Sequence, residues 1–204
     1  MDIKITFINK SFDKNNTRVV IFQKNVATNF EETAIAWRVI KNCGYNWRHE
    51  FSYPMNFDVA VKDTYGNVSN QLGAKNGQKW VVKRLESGDE LILDADKARS
   101  QKEVEIKNGF PIGSIDAQIY KSGKLLASKT GISPGEKAVF EFEPFIYVGL
   151  NAQIEEGTTL NAAILKDINT KFSLSGINEA NLIMTGGGIG PNATPFKFEL
   201  IKLS

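Results

Sequence analysis

The chain has 204 residues, with 25 Lys+Arg against 23 Asp+Glu, one histidine (His49) and one cysteine (Cys43). A single cysteine permits no internal disulfide, Cys-based zinc site or iron–sulfur cluster, and a single histidine excludes any metal site needing two imidazoles from one chain, so no cofactor or metal is expected. A net charge of +2 gives no strong overall footprint for nucleic acid or an anionic membrane.

In chain order the dominant pattern is short alternating segments punctuated by turn residues, the signature of strands. Ile3, Ile5 and Phe7 alternate, then Asp13-Lys14-Asn15-Asn16 marks a turn before Val19-Val20-Ile21-Phe22. Phe57, Val59 and Val61 alternate up to Tyr65-Gly66-Asn67, and Ser87-Gly88-Asp89 separates Trp80-Val81-Val82 from Leu91-Ile92-Leu93. Val104 and Ile106 follow, then Ile115, Ala117 and Ile119. Lys121-Ser122-Gly123-Lys124 is a tight hairpin signal, because glycine supplies the positive φ that such turns need. Ser133-Pro134-Gly135-Glu136 predicts another turn, Pro144 an edge or bend, and Phe196, Phe198 and Leu200 a final strand. The expected class is all-β, an antiparallel sandwich or sandwiches with at most one or two short helices.

One segment fits two descriptions. Thr28 or Asn29 with Glu31 or Glu32 offers a capping box, and Ile35, Val39 and Ile40 then share a helical face that stops at Gly44. Ile35, Trp37 and Val39 equally alternate as a strand. A second short helix is expected around Leu160–Asp167.

Phe51-Ser52-Tyr53-Pro54 followed by Val59, Val61 and Gly66 echoes Phe140-Glu141-Phe142-Glu143-Pro144 followed by Val148, Leu150 and Gly157. The charged stretch 94–102 falls between the two copies. The preferred organisation is therefore two sandwich-like halves, 1–98 and 99–204, with one continuous domain as the alternative. Residues 1–102 carry 16 Lys+Arg and 12 Asp+Glu, and residues 103–204 carry 9 and 11, so the halves differ in sign.

No catalytic residue is assigned. No G-x-S-x-G elbow accompanies His49, and Cys43 lies too close in sequence to His49 to form a dyad on regular geometry. Thr185-Gly186-Gly187-Gly188-Ile189-Gly190-Pro191 lacks the Lys-Ser/Thr of a phosphate loop and reads as a contact loop between strands. The acidic pairs Asp89/Glu90, Asp94/Asp96 and Glu155/Glu156 fall at turns and match no calcium-loop spacing. The alternating stripe Tyr45, Trp47, His49 and Tyr53, which with Phe51 would share one strand face, fits either a core face with His49 near its rim or an exposed contact row. Tyr45, Trp47, His49 and Tyr53 of that row and the glycines Gly186, Gly187 and Gly188 are the candidate contact residues.

The runs Val20-Ile21-Phe22-Gln23-Lys24-Asn25, Ala36-Trp37-Arg38-Val39-Ile40-Lys41-Asn42-Cys43-Gly44, Ala138-Val139-Phe140-Glu141-Phe142-Glu143-Pro144 and Met184-Thr185-Gly186-Gly187-Gly188 resemble a family of small, uncharacterised bacterial all-β proteins sometimes labelled ring-opening dioxygenase. The label does not suit these residues. A non-haem iron dioxygenase of the usual type takes two histidine ligands, and this chain has one.

The residues support a non-catalytic β-sandwich protein that binds a protein partner or assembles with itself. The alternative is a membrane-active, pore-forming or glycan-binding β-protein using an exposed aromatic strand, and a carboxylate-based hydrolase ranks third. Nucleic acid is not expected as a partner. The start of the chain lacks the apolar core of a secretory signal, so a cytoplasmic protein is expected, with leaderless export as the exception.

Overall fold

A computed structural model describes residues 2–27 and 34–204. The alternation read from the sequence becomes strand throughout: Ile3, Ile5 and Phe7 are buried on β1 (Asp2–Asn9), and Val59 and Val61 on β6 (Phe57–Lys62). The ambiguous segment is strand where it is described, with β3 at Ala34–Ile35 and β4 at Arg38–Ile40; the capping-box residues 28–32 lie outside the described residues. The expected short helix is α1 (Ala162–Asp167), started by Asn161, whose side chain accepts from the Ile164 amide at 3.0 Å. Among the described residues no helix is long and apolar enough to cross a membrane.

The chain forms two compact units, both discontinuous in sequence. The first comprises Met1–Gln23, Ala36–Met55 and Pro144–Ser204. It holds β1, β2 (Val19–Phe22), β4, β5 (Arg48–Pro54), β14 (Phe145–Leu150), β15 (Thr159–Leu160), β16 (Thr170–Ser173), β17 (Glu179–Gly187) and β18 (Thr194–Lys202). Its two four-stranded sheets have the orders β18-β17-β1-β5 and β16-β14-β2-β4. The second unit comprises Lys24–Ile35 and Asn56–Glu143. It holds β3, β6, β7 (Leu72–Ala74), β8 (Gln78–Leu85), β9 (Gly88–Lys97), β10 (Glu103–Asn108), β11 (Ile115–Lys121), β12 (Lys124–Ile132) and β13 (Lys137–Glu141), in sheets ordered β13-β10-β8-β9 and β12-β11-β6-β7.

These two descriptions are one topology. Setting β15 and β3 aside, the first eight strands of the chain match the second eight in succession: β1 with β10, β2 with β11, β4 with β12, β5 with β13, β6 with β14, β7 with β16, β8 with β17 and β9 with β18. Under that match every neighbour in one unit has its counterpart in the other. The central pair of one sheet is parallel in each, β1 with β17 and β10 with β8, and all other ladder pairings in both units are antiparallel. The halves expected at 1–98 and 99–204 therefore correspond to a repeated strand succession but not to the compact units. Each unit takes the first four of these strands from one repeat and the last four from the other, because β5 runs on into β6, and β13 into β14, across the boundary between units.

The core of each unit is conventional. Val20, Ile21, Phe22, Trp37, Tyr53, Ile146 and Val148 are buried in the first, and Trp80, Val104, Ile106, Ile119, Leu126 and Phe140 in the second. Large apolar side chains such as these supply the main driving force for folding.

Candidate functional site

One end of the first unit is organised by a buried asparagine. Asn9 closes β1; its side-chain nitrogen donates to the Cys43 carbonyl at 2.6 Å, and its side-chain oxygen accepts from the Ser11 amide at 2.8 Å and hydroxyl at 2.6 Å. Its backbone pairs with the turn 44–47: the Asn46 amide donates to the Asn9 carbonyl and the Asn9 amide to the Trp47 carbonyl. Asn46 occupies the left-handed region at φ 60°, which asparagine tolerates. That residue breaks the expected stripe. β5 begins only at Arg48, so Tyr45 and Trp47 belong to a turn and face solvent, whereas Phe51 and Tyr53 keep strand alternation and point into the core.

The stripe is thus two separate features. Tyr45 and Trp47 are 54% and 66% exposed, and Tyr53 only 2%. Tyr53 packs edge-on against Trp37 at 5.3 Å and donates its hydroxyl to the Gln23 side-chain oxygen, and burial pushes its phenol well up. It is a core residue, not a contact residue. His49 is half-buried at the rim, its ring 6.5 Å from Phe51.

The glycine loop does join the exposed half of the stripe, through a residue that the sequence reading passed over. Gly186 and Gly187, expected in a loop, are the last residues of β17. Their backbone with that of Gly188 clasps Phe12, which donates its amide to the Gly186 carbonyl at 2.8 Å and accepts from the Gly188 amide at 3.0 Å. Glycine is required here: a Cβ on Gly187 (φ 83°) would stand 2.9 Å from the Phe12 carbonyl oxygen and 2.8 Å from the Phe196 ring. The clasp holds the Phe12 ring stacked on Tyr45, with centroids 5.3 Å apart and planes at 16°, and places Ile189 at the loop tip. Phe12 is 64% and Ile189 75% exposed. Between them lies a cavity of about 400 Å³, completed by Asp13, Lys14 and Asn15.

Asp13 is turned inward. Its carboxylate accepts from Asn9 at 3.3 Å, from the Asn15 amide at 3.2 Å and from the Thr17 hydroxyl. Burial alone would raise its pKa, but these hydrogen bonds outweigh burial and hold it below the ordinary carboxylate value. Lys14 and Asn15 form the outward turn at φ 53° and 60°.

The remaining candidates offer no comparable cluster. Burial raises the Cys43 thiol, which disfavours the thiolate. Of the acids expected at turns, Asp89, Glu90, Asp94 and Asp96 lie instead on β9, where the ladder with β8 sets Asp89 opposite Arg84, and only Glu155 and Glu156 lie outside strands. Asp89 pairs with Arg84 at 2.8 and 3.1 Å, Asp94 and Asp96 with Lys79 at 3.4 and 3.3 Å, and Glu155 with Arg18 and Lys41. Asp89, Asp94 and Glu155 lie below their ordinary pKa values, with hydrogen bonds the leading cause, opposite to the raised acid that glycosidic cleavage uses. Among the described residues no group of three or more His, Cys, Asp or Glu side chains is placed to hold a metal ion.

Sequence reasoning found Tyr45, Trp47 and the glycines but missed Phe12, Ile189 and Asn9. The available signals were an asparagine in Gly44-Tyr45-Asn46, which marks a turn, and an apolar residue between glycines at 188–190. No known protein family, curated protein or solved structure matches the chain.

Proposed function

We propose that the chain is a non-catalytic binding protein that engages its target through the aromatic end of the first unit. The observation that carries this reading is the group of Phe12, Tyr45 and Ile189, three exposed large apolar side chains around one cavity, with Trp47 exposed two residues beyond Tyr45 in the same turn region. Soluble domains scatter exposed apolar residues singly, and a cluster around a cavity marks a contact surface. The order of readings from the sequence is kept: binding or assembly first, chemistry last.

The test uses tryptophan emission. Of the three tryptophans, Trp37 and Trp80 are buried and Trp47 is exposed. In dilute protein a quencher in solution should reach one red-shifted emitter, which Trp47→Phe removes, and Phe12→Ser with Trp47→Ser should leave the melting temperature within a few degrees. A fully quench-protected protein, or a double variant that unfolds, would make the cluster part of the core and end the proposal.

A further inference from the structure

We infer that the free edge of β18 joins the same edge of a second copy of this chain, closing a dimer about a two-fold axis at Phe198. This edge belongs to the first unit alone, and the pairing is independent of what the aromatic end binds. β18 lies at one side of the sheet β18-β17-β1-β5, with β17 as its ladder partner. None of its nine residues is buried. A long edge strand left open in this way offers unpaired amides and carbonyls to another chain.

The ladder with β17 decides which groups are offered. The Leu203 amide donates to the Glu179 carbonyl at 2.8 Å, and hydrogen-bonded pairs alternate along an antiparallel ladder. Odd-numbered residues from Lys197 to Leu203 therefore bond to β17, and the backbone of Phe198, Leu200 and Lys202 turns to the open side. Phe198 and Leu200 stand opposite the buried Met184 and Leu182, so they carry the core face outward. Both are only half-buried, and Phe196 is 38% exposed. The core face thus runs to this edge without being fully covered.

Charge identifies the occupant. In an antiparallel self-pairing centred on Phe198, Lys197 of each copy faces Glu199 of the other, and Phe196 of each faces Leu200 of the other. Two opposite-charge pairs then flank the axis on one face, while apolar pairs extend the core on the other. Neighbouring registers lose this match. Centring on Lys197 or Glu199 sets like charges face to face, and centring on Leu200 sets Phe198 against Lys202. Among the described residues no ion pair within the chain uses Lys197 or Glu199. Pro195 lies in the bulged end of the strand, before the regular run. An unrelated partner would need its own matching charges, whereas a second copy supplies them by symmetry.

The counterpart strand β9 is also an edge, and it is guarded. It carries Asp89, Glu90, Asp94 and Asp96 against Lys97, and the Asp94 side chain takes the Asp96 amide at 3.2 Å. Four acids to one lysine oppose self-pairing. β18 has no such guard, with Lys197 and Lys202 against Glu199.

The experiment is sedimentation equilibrium of the full chain from micromolar to millimolar concentration, where monomer should give way to dimer and to nothing larger. Glu199→Lys and Lys197→Glu should each weaken the dimer about tenfold or more. Their melting temperatures, read in dilute solution, should not change. An equal mixture of the two variants should dimerise again, because each reversed charge faces an opposite one across the axis. Should either reversal disturb the fold, Glu199→Gln and Lys197→Gln take its place, with a smaller loss expected from each. A chain that stays monomeric throughout, or that grows into larger assemblies, would overturn the inference. So would a dimer indifferent to every substitution, or a mixture of the two reversals that stays monomeric.

Discussion

The turn at 43–47 in the first unit and the turn at 132–136 in the second are built on the same frame and dressed differently. Asn108 stands where Asn9 stands: its side chain donates to the Ile132 carbonyl at 2.9 Å and accepts from the Phe110 amide at 3.0 Å, as Asn9 does with Cys43 and Ser11. The backbone bonds repeat as well, Gly135 to Asn108 and Asn108 to Glu136, matching Asn46 to Asn9 and Asn9 to Trp47. Gly135 takes the positive φ of Asn46, 82° against 60°. On this common frame the first unit carries Tyr45 and Trp47, and the second carries Pro134 and Glu136. The frame is therefore what folding requires, and the aromatic pair is an addition to it.

The largest expected effect tests the frame itself. Both asparagines are fully buried, and each side chain makes at least three hydrogen bonds that alanine cannot replace. At roughly 1 kcal/mol per bond, with carbonyls left unpaired, Asn9→Ala and Asn108→Ala should each destabilise by about 3 kcal/mol in urea unfolding. Similar losses support one device used twice. A loss at only one site would mean that the shared geometry hides different energetics.

A smaller effect distinguishes the sheets behind the turns. Gly149 on β14 and Ala60 on β6 hold matching places, next to Val148 and Val59, which face Ile21 and Ile119. A Cβ on Gly149 would lie 2.2 Å from the Ile168 side chain, because in the first unit the residue that follows α1 packs onto this strand. Gly149→Ala should therefore cost about 2–3 kcal/mol by overpacking, whereas Ala60→Gly should cost only about 1 kcal/mol through backbone entropy. Thermal melts of the two variants decide it, and equal costs would break the match.

Much of this frame was legible in the sequence, and the reason is local. Lys121-Ser122-Gly123-Lys124 closes β11 on β12 with Lys121 opposite Lys124 and positive φ at both central residues, as a two-residue hairpin demands. The echo of Phe51–Pro54 in Phe140–Pro144 marks matching strands β5 and β13. The exchange of strands between repeats left no trace, since the pairing of β1 with β17 joins residues far apart and obeys no local rule. Nor did composition reveal Asn9 and Asn108, whose role depends on carbonyls brought to them by distant turns. The site was half-legible for the same reason. Tyr45 and Trp47 were visible as aromatics, but the left-handed Asn46 reversed what their spacing meant.

Acid should also separate the two ends. The loop after β1 is anchored by Asp13, and the matching loop 109–114 contains no acid. Burial pushes the Asp13 carboxyl up, but its hydrogen bonds push it further down, so its folded pKa lies below the ordinary value of 3.8. Stability from a depressed carboxyl is fully present above the unfolded pKa and is lost as pH falls through the folded one. Asp13→Asn should lower stability slightly near neutrality and flatten the acid side of the stability–pH curve. Superimposable curves would show that the carboxylate does not anchor the loop.

The smallest expected effect is the most telling about the additions. Trp47 lays its ring over Gly44, so a Cβ at residue 44 would stand 3.0 Å from it, whereas the matching residue of the second unit, Ser133, carries a side chain. Glu136 instead accepts from the Ser133 amide at 3.2 Å. Both contacts are local and exposed, so Trp47→Ser and Glu136→Ser should each change stability by no more than about 0.5 kcal/mol. Gly44→Ala should displace the Trp47 ring and alter its emission while the melting temperature holds, and Ser133→Gly should do neither. A ring that moves without cost to the fold is one the fold does not require. If Gly44→Ala instead unfolds the first unit, Trp47 closes the turn as structure, and the aromatic end loses its claim to be a surface kept for contact.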